Sequence, residues 1–213
     1  PKNIVFEGED KYDVSLTVEN DQGCTRKITR KDLVVVGKAK IIDLEISEND
    51  VCTNEELAIK QIGSDLSNGT VSWLLNNATV TYTNSKNTLK RVSYSNTGNY
   101  HVGLKYNAGG CITEVFYQDT IRVDRVNADF EMSAPCNCIT EEILFTNRSS
   151  TSDPHDSLLY KWTVKNQNGF TIYTSIDKNP KYQFRQMGTY SIQLDVTGRK
   201  GCTASKKNSI TFG

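Results

Sequence analysis

Three stretches of the chain alternate apolar and polar residues with a period of two, and a Gly-Cys pair follows each of them. They are residues 12–18, 100–106 and 190–196, and the cysteines that follow are Cys24, Cys111 and Cys202. A period of two is typical of a β-strand with one buried face. The copies are separated by 87 to 91 residues. The pattern therefore predicts tandem repeats, each of which is a domain in its own right.

The repeat period divides the chain into three predicted parts. Residues 1–38 are expected to be the C-terminal half of a domain, and residues 39–125 and 126–213 are each expected to be complete. The complete parts contain short strands at a spacing of roughly 8–12 residues, with turn signals such as Asn68-Gly69. No amphipathic helical stretch is visible. These features predict an all-β fold of tandem immunoglobulin-like sandwiches.

Residues 1–38 are not expected to fold stably by themselves. This part is predicted to contain a strand end at residues 1–6 and two further strands, which is too little for a stable core. Its apolar residues Val14, Leu16 and Val18 would line an exposed face. We therefore expect residues 1–38 to belong to a longer protein or to be covered by a partner. Because the links between the parts are short, we also expect a nearly rigid, rod-like array.

Composition excludes several classes of function. The 25 basic and 25 acidic residues cancel, so neither a nucleic-acid footprint nor an anionic-membrane patch is expected. No apolar run is long enough to span a membrane. No nucleophile stands beside a recognisable base, so the chain is not expected to be an enzyme. Asp153 and Asp156 flank His155, and Asp50 lies near further acidic residues, but a solvated turn and surface carboxylates explain them. Neither a metal nor a cofactor is expected.

Particular residues resemble those of the PKD domain, an immunoglobulin-like module. They are Phe145-Thr146-Asn147 with Ser149-Ser150, Trp162, Asn179-Pro180 with Tyr182 and Phe184, and Gly188-Thr189-Tyr190. In the preceding repeat the likeness rests mainly on Trp73, Gly98-Asn99-Tyr100 and Gly110-Cys111. The acidic stretch that the family usually carries after the tryptophan is absent. The resemblance thus implies the sandwich fold without a metal site.

The resemblance assigns structural roles to the large aromatic residues. Trp73 and Trp162 are expected in the cores of their sandwiches. Tyr12, Tyr100 and Tyr190 are expected to form tyrosine corners, in which the hydroxyl bonds to backbone a few residues upstream. All five are therefore interpreted as fold residues rather than as ligand-stacking aromatics.

The six cysteines are interpreted as a disulfide framework in an oxidising compartment. Aligning the repeats matches Cys138 with Cys52 and leaves Cys136 as a spare thiol. One alternative pairs Cys52 with Cys111 and Cys138 with Cys202, within each domain. In an immunoglobulin-like sandwich, however, those positions lie at opposite ends of strands, about 20 Å apart. The other alternative, which this geometry favours, joins Cys52 to Cys202 across a domain junction. Cys24, Cys111 and Cys138 would then find partners outside the chain.

The predicted function is a non-catalytic stalk or adhesion segment of a large, secreted, extracellular cell-surface repeat protein. Cysteine-bearing tandem arrays of this kind resemble those in giant surface adhesins of gliding, type IX-secreting Bacteroidota. Expected partners are other repeats of the same chain, a surface polysaccharide, or a secretion or anchoring protein. One alternative is a carbohydrate-binding accessory module of a secreted hydrolase, using Tyr82, Tyr94, Tyr117 and Tyr173. Another is an ectodomain segment of an animal PKD-containing receptor.

Overall fold

The computed structural model describes residues 3–37, 40–133 and 142–213, and its regular elements there are all β-strands. The strands are, in chain order, β1 (Asp10–Glu19), β2 (Thr25–Val36), β3 (Ile42–Ile46), β4 (Asp50–Cys52), β5 (Leu57–Gly63), β6 (Thr70–Leu74), β7 (Thr79–Thr83), β8 (Leu89–Ser93), β9 (Gly98–Tyr100), β10 (Gly103–Ala108), β11 (Cys111–Phe116), β12 (Ile121–Asp124), β13 (Val126–Asn127), β14 (Phe130–Met132), β15 (Glu142–Asn147), β16 (Ser150–Thr151), β17 (Leu159–Lys165), β18 (Thr171–Ser175), β19 (Lys181–Gln183), β20 (Gly188–Thr197) and β21 (Thr203–Phe212). The predicted all-β fold is confirmed. Within the described part of the chain, no helix is long and apolar enough to cross a membrane.

Strand pairing builds several small sheets. Their strand orders are β1-β2, β3-β5-β8-β7, β11-β10-β6, β4-β12-β9, β13-β16, β14-β15-β19 and β18-β17-β20-β21. The chain divides into two compact units. The first unit comprises Pro1–Ser47, Leu57–Val92 and Tyr100–Thr120, and the second comprises Glu48–Glu56, Ser93–Asn99 and Ile121–Gly213. The assignment of residues 1–38, 39–125 and 126–213 to separate domains stays a prediction.

A hairpin of β1 and β2 opens the first unit. At its turn the Gly23 N–H donates to Asn20 O at 2.9 Å, and the Asn20 N–H donates to Cys24 O at 3.1 Å. Gly23 has φ 81°, a left-handed conformation that a residue with a side chain adopts at a cost. The hairpin leaves several large apolar side chains exposed: Val14, Leu16, Val18, Ile28, Leu33 and Val35.

The predicted strand at residues 1–6 is wrong where the structure describes it. Residues 3–6 lie in no strand, so the predicted three-stranded remnant has only the two strands of the hairpin. The Phe6 ring instead lies 4.6 Å from the Tyr12 ring, centroid to centroid. Packing of these two rings, rather than backbone pairing, therefore holds this stretch against the hairpin.

The second unit contains the larger core. Sheet β14-β15-β19 and sheet β18-β17-β20-β21 contribute their inward-facing residues to one buried cluster. At its centre is Trp162, which has no exposed surface. Its ring centroid lies 5.0 Å from that of Phe130 and 5.4 Å from that of Phe145, and its Nε1–H donates to Asp177 O at 2.9 Å.

The two tryptophans differ in burial because their strands differ in position. Trp162 lies on β17, which has β18 on one side and β20 on the other. Trp73 lies on β6, which is the edge strand of sheet β11-β10-β6, and it is only half-buried. The expectation that Trp73 is buried is therefore wrong, since its side chain packs against the core but stays partly exposed. Its ring packs on the smaller core of the first unit, and its Nε1–H donates to Asn87 O at 3.0 Å.

The predicted corner tyrosines Tyr12 and Tyr190 bond to backbone four residues upstream. The Tyr12 hydroxyl donates to Gly8 O at 3.0 Å, and the Tyr190 hydroxyl donates to Gln186 O at 2.8 Å. Tyr190 is buried, whereas Tyr12 and Tyr100 are half-buried. The hydroxyl bonds tie the start of β1 and of β20 to the loop that precedes each strand.

Candidate functional site

The structure joins Cys52 to Cys202. Their Cα atoms lie 5.5 Å apart, although 150 positions separate them along the chain. Cys202 is buried in the core of the second unit, and Cys52 packs against that core. This pairing excludes the alternative bonds Cys52–Cys111 and Cys138–Cys202. Both bonded cysteines lie in the second unit, so this disulfide ties the distant segment Glu48–Glu56 to the rest of that unit.

The remaining cysteines differ in exposure and in whether the structure describes them. Cys24 is exposed with a free thiol, and Cys111 is half-buried with a free thiol. Cys136 and Cys138 lie outside the described residues, so their predicted roles as spare thiol and as the counterpart of Cys52 remain predictions.

Backbone pairing also holds the segment that carries Cys52. Strand β4 runs parallel to β12, with Asp50 opposite Arg122 and Cys52 opposite Asp124. The Arg122 N–H donates to Asn49 O at 2.7 Å, and the Thr53 N–H donates to Asp124 O at 2.9 Å. The disulfide therefore continues a strand that is already hydrogen-bonded in register.

A cluster of charges lies beside the disulfide, and we call it the Lys200 cluster. The Lys200 Nζ lies 2.7 Å from Asp124 Oδ2, 3.2 Å from Asp153 Oδ2 and 3.4 Å from Asp50 Oδ1. Arg122 completes it by donating to both carboxylate oxygens of Asp50, at 2.6 and 2.8 Å. The five side chains come from four separate stretches of sequence. Their ion pairs thus join the three stretches that the disulfide and β4 bring together and add the stretch that carries Asp153.

The cluster shifts the titration of its members. The hydrogen bond from Lys200 to Asp124 is the main reason why the pKa of Lys200 is raised well above its ordinary value. Arg122 is the main reason why the pKa of Asp50 is lowered, with Lys200 adding to it. The backbone N–H of His155, followed by Lys200, lowers the pKa of Asp153. All these shifts favour the charged forms.

The arrangement suits a structural role better than a chemical one. An ammonium whose pKa is raised stays protonated and is a poor nucleophile or base. The Asp124 carboxylate is occupied on both sides, since Oδ1 accepts from the Ser152 hydroxyl at 3.1 Å and Oδ2 faces Lys200. An open cleft of about 340 Å³ borders these residues, but the charges along it neutralise one another. No group of three or more potential metal ligands occurs in the described part of the chain.

No motif in the sequence singles out Lys200, Arg122 or Asp124. The sequence marks Asp50 only as a surface carboxylate and Asp153 only as part of a solvated turn. The His155 N–H does donate to Asp153 Oδ1 at 2.9 Å, as a turn predicts, and the other carboxylate oxygen faces Lys200. The available signal was the position of Lys200 two residues before Cys202, inside the turn that carries the disulfide.

The residues that resemble the PKD family form a hydrogen-bonded corner of the second unit. Asn147 Oδ1 accepts from the Ser149 N–H at 2.8 Å, and Asn179 Oδ1 accepts from the Asn147 N–H at 2.9 Å. The Ser149 hydroxyl oxygen accepts from the Asp129 N–H at 3.1 Å. These polar side chains satisfy loop backbone groups, so their role is to shape the fold.

The aromatic residues considered for carbohydrate stacking do not share one kind of environment. Tyr94 is buried, with only 2% of its surface exposed. Tyr173 is half-buried, and its ring centroid lies 4.6 Å from that of Tyr182. Tyr82 is half exposed and lies under the Arg91 guanidinium at 5.8 Å. Because a flat sugar-binding platform needs exposed rings on one face, this set does not support it.

Comparison with known proteins agrees with the fold. The sequence profile of the PKD domain family matches residues 130–212. Among curated protein sequences, none matches the chain. Among solved structures, the PKD1 domain of Vibrio anguillarum Epp is 24% identical, with 41% of this chain and 92% of that chain covered and a TM-score of 0.32.

Two further solved structures are more distant in sequence. The adhesin InvE of Yersinia pseudotuberculosis is 12% identical, with 81% of this chain and 58% of that chain covered and a TM-score of 0.31. An I-band fragment of titin is 13% identical, with coverages of 82% and 66% and a TM-score of 0.41. At these TM-scores the likenesses carry no argument about the chain. Residues 130–212 thus match the profile of the PKD domain family, and the described part of the chain is all-β.

Proposed function

We propose that the chain is a non-catalytic stalk and adhesion segment of a large secreted cell-surface protein, and that it carries tension. The single observation that supports this most is the Cys52–Cys202 disulfide, which joins residues 150 positions apart beside a paired strand. A pull on the ends of the chain is transmitted from Cys52 to Cys202 through a covalent bond. The intervening residues are then protected from full extension.

The Lys200 cluster supports the same role. Its ion pairs connect Asp50, Asp124 and Asp153 through Lys200, and Arg122 pairs with Asp50. Ion pairs and strand pairing resist the first movements of the segment, and the disulfide limits the later ones. This order of resistance fits a protein that is stretched repeatedly and recovers its fold.

The disulfide and the PKD match indicate an extracellular domain. Within that class we propose a position on the cell surface, in an adhesin of the gliding, type IX-secreting Bacteroidota kind. The proposed partners are other repeats of the same protein, with a surface polysaccharide or an anchoring protein as the external contact. The sequence resemblance and the cysteine placement support this finer proposal.

Single-molecule pulling tests the mechanical role. The oxidised chain is stretched from its ends and compared with a variant that carries both Cys52→Ser and Cys202→Ser. We expect the double variant to unfold abruptly at forces typical of β-sandwich modules and to extend further than the oxidised chain, in which the bond protects the residues between Cys52 and Cys202. The Cys24→Ser variant is the matched control, because Cys24 is an exposed free thiol and its loss leaves the record unchanged. Smooth extension of the double variant at low force, or equal extension of the double variant and the oxidised chain, would contradict the proposal.

A further inference from the structure

The spacing of the repeats gives Asp124 a counterpart in the first unit. Asp124 follows Cys111 by 13 residues, and Gly37 follows Cys24 by 13 residues. Asp124 is the last residue of β12, and Gly37 directly follows the last residue of β2. Gly37 and the end of β2 therefore occupy the same place in the repeat as Asp124 and the end of β12.

The turn that carries Cys111 sits on Gly37 much as the turn that carries Cys202 sits on Asp124. The Cys202 sulfur lies 3.8 Å from Asp124 O. A Cβ atom added to Gly37 would lie 2.9 Å from the Cys111 sulfur, which shows how closely the thiol approaches this backbone. In the same turn, a Cβ added to Gly109 would lie 2.6 Å from a Val35 methyl carbon. The first unit thus contains a counterpart of Asp124, which is Gly37, and a counterpart of Cys202, which is Cys111. The Cys111 thiol is free.

The other half of the site is a strand. On β12 the edge position is taken by β4, whose Cys52 lies opposite Asp124 and reaches Cys202. Strand β2 pairs only with β1 among the described strands, so its second edge is open. A strand added there in the register of β4 would place one residue opposite Gly37. That residue would lie beside the Cys111 thiol.

We propose that the open edge of β2 at residues 35–37, together with Cys111, is a receptor for a cysteine-bearing strand from a further repeat of this protein. The strand adds parallel to β2 with an apolar residue followed by cysteine, as Val51 and Cys52 are placed on β4. Its cysteine forms a disulfide with Cys111. The two thiols lose two electrons and two protons to a small-molecule disulfide, which is reduced to two thiols.

The structure favours a further repeat over a second copy of the segment Glu48–Glu56. That segment already pairs with β12, and its cysteine is already bonded to Cys202. The inference goes beyond the tension-bearing role, since it concerns a docking edge that can be probed without force. If the proposal holds, the residues enclosed by one disulfide overlap with the residues enclosed by the next disulfide along the array.

A peptide with the sequence of residues 46–56 is the probe. It is incubated with the oxidised chain in a glutathione buffer, and the linked cysteines are identified by non-reducing peptide mapping. We expect the peptide to link to Cys111 at least about tenfold more than to Cys24, which is the exposed control thiol of the equivalent turn. A peptide that carries Val51→Lys should link to Cys111 no more than the unaltered peptide links to Cys24, because Val51 is the buried residue of the docked strand.

The protein side is tested with Val35→Pro, which removes the N–H equivalent to that of Arg122 on β12. This variant should also lower linkage at Cys111 to the level of Cys24. The peptide variant leaves the protein unaltered, so a folding defect cannot explain its result. Equal linkage at Cys111 and Cys24, or no effect of Val51→Lys, would overturn the proposal. Linkage of Cys111 to a cysteine of a second copy would also overturn it, because the occupant would then be that copy.

Discussion

Replacing Lys200 with methionine should destabilise the second unit by about 2 kcal/mol. The ammonium lies within 3.4 Å of three carboxylates, and 28% of the Lys200 side chain and 15% of the Asp124 side chain are exposed. Exposed ion pairs contribute about 0.2–1 kcal/mol, whereas breaking a buried pair costs about 3–5 kcal/mol. The Lys200 cluster lies between these limits. Methionine keeps the unbranched apolar stem as far as the ε-carbon and removes only the ammonium, so the loss reports the charge rather than packing.

The matched control is Lys206→Met in the same unit. Lys206 lies 3.7 Å from the Asp129 carboxylate, and both side chains are nearly half exposed, so this loss should stay below about 0.5 kcal/mol. Urea unfolding of the oxidised variants, followed by tryptophan fluorescence, measures both values. A concentrated salt buffer should reduce the difference between the wild type and Lys200→Met. Equal losses in the two variants would refute the reasoning that the cluster stabilises the unit.

Three further predictions concern pH and the aromatic core. Because Asp50 and Asp153 have lowered pKa values and Lys200 has a raised pKa, the cost of Lys200→Met should be constant from about pH 5 to 10. It should shrink below about pH 4, where the carboxylates of the unfolded chain protonate before those of the folded cluster. It should also shrink above the ordinary lysine pKa, where the unfolded chain loses the Lys200 proton while the folded chain keeps it; a flat profile down to pH 2 would contradict this. Trp162→Ala should cost about 3–5 kcal/mol in urea unfolding and Trp73→Ala clearly less, since only Trp162 is fully buried; a loss below about 1 kcal/mol for Trp162→Ala would show that it is not a core residue. Tyr190→Phe should cost about 1 kcal/mol, because it leaves Gln186 O without its hydroxyl donor, and an unchanged unfolding midpoint would argue against the tyrosine corner.

The parts of the fold that the sequence predicted are those with a local pattern. The alternation at residues 190–196 corresponds to β20, whose inward residues Tyr190, Ile192, Leu194 and Val196 are all buried. A strand's period of two is visible in a window of a few residues. The tyrosine hydroxyl bonds follow from the same local reasoning, because the acceptor lies four residues upstream.

The parts that the sequence did not predict depend on residues far apart in the chain. Whether Trp73 is covered depends on which strand pairs with β6, and no pattern around the tryptophan carries that information. Lys200 meets Asp50 only after β4 has paired with β12. An ion pair across 150 positions has no sequence period, and its members look like ordinary surface charges. The disulfide could be predicted from the sequence, because strand direction limits which cysteines can lie close enough to bond.

The most direct test of the tension-bearing account is the final length of the stretched chain with and without reductant. If Cys52 and Cys202 are joined, the disulfide bears the force and the residues between them are not extended. With 150 positions in the loop and about 3.3–3.6 Å per extended residue, reduction should lengthen the fully stretched chain by about 500 Å. The account predicts this gain in the wild type and none in the variant with both cysteines replaced. Equal lengths of the wild-type chain before and after reduction would contradict it.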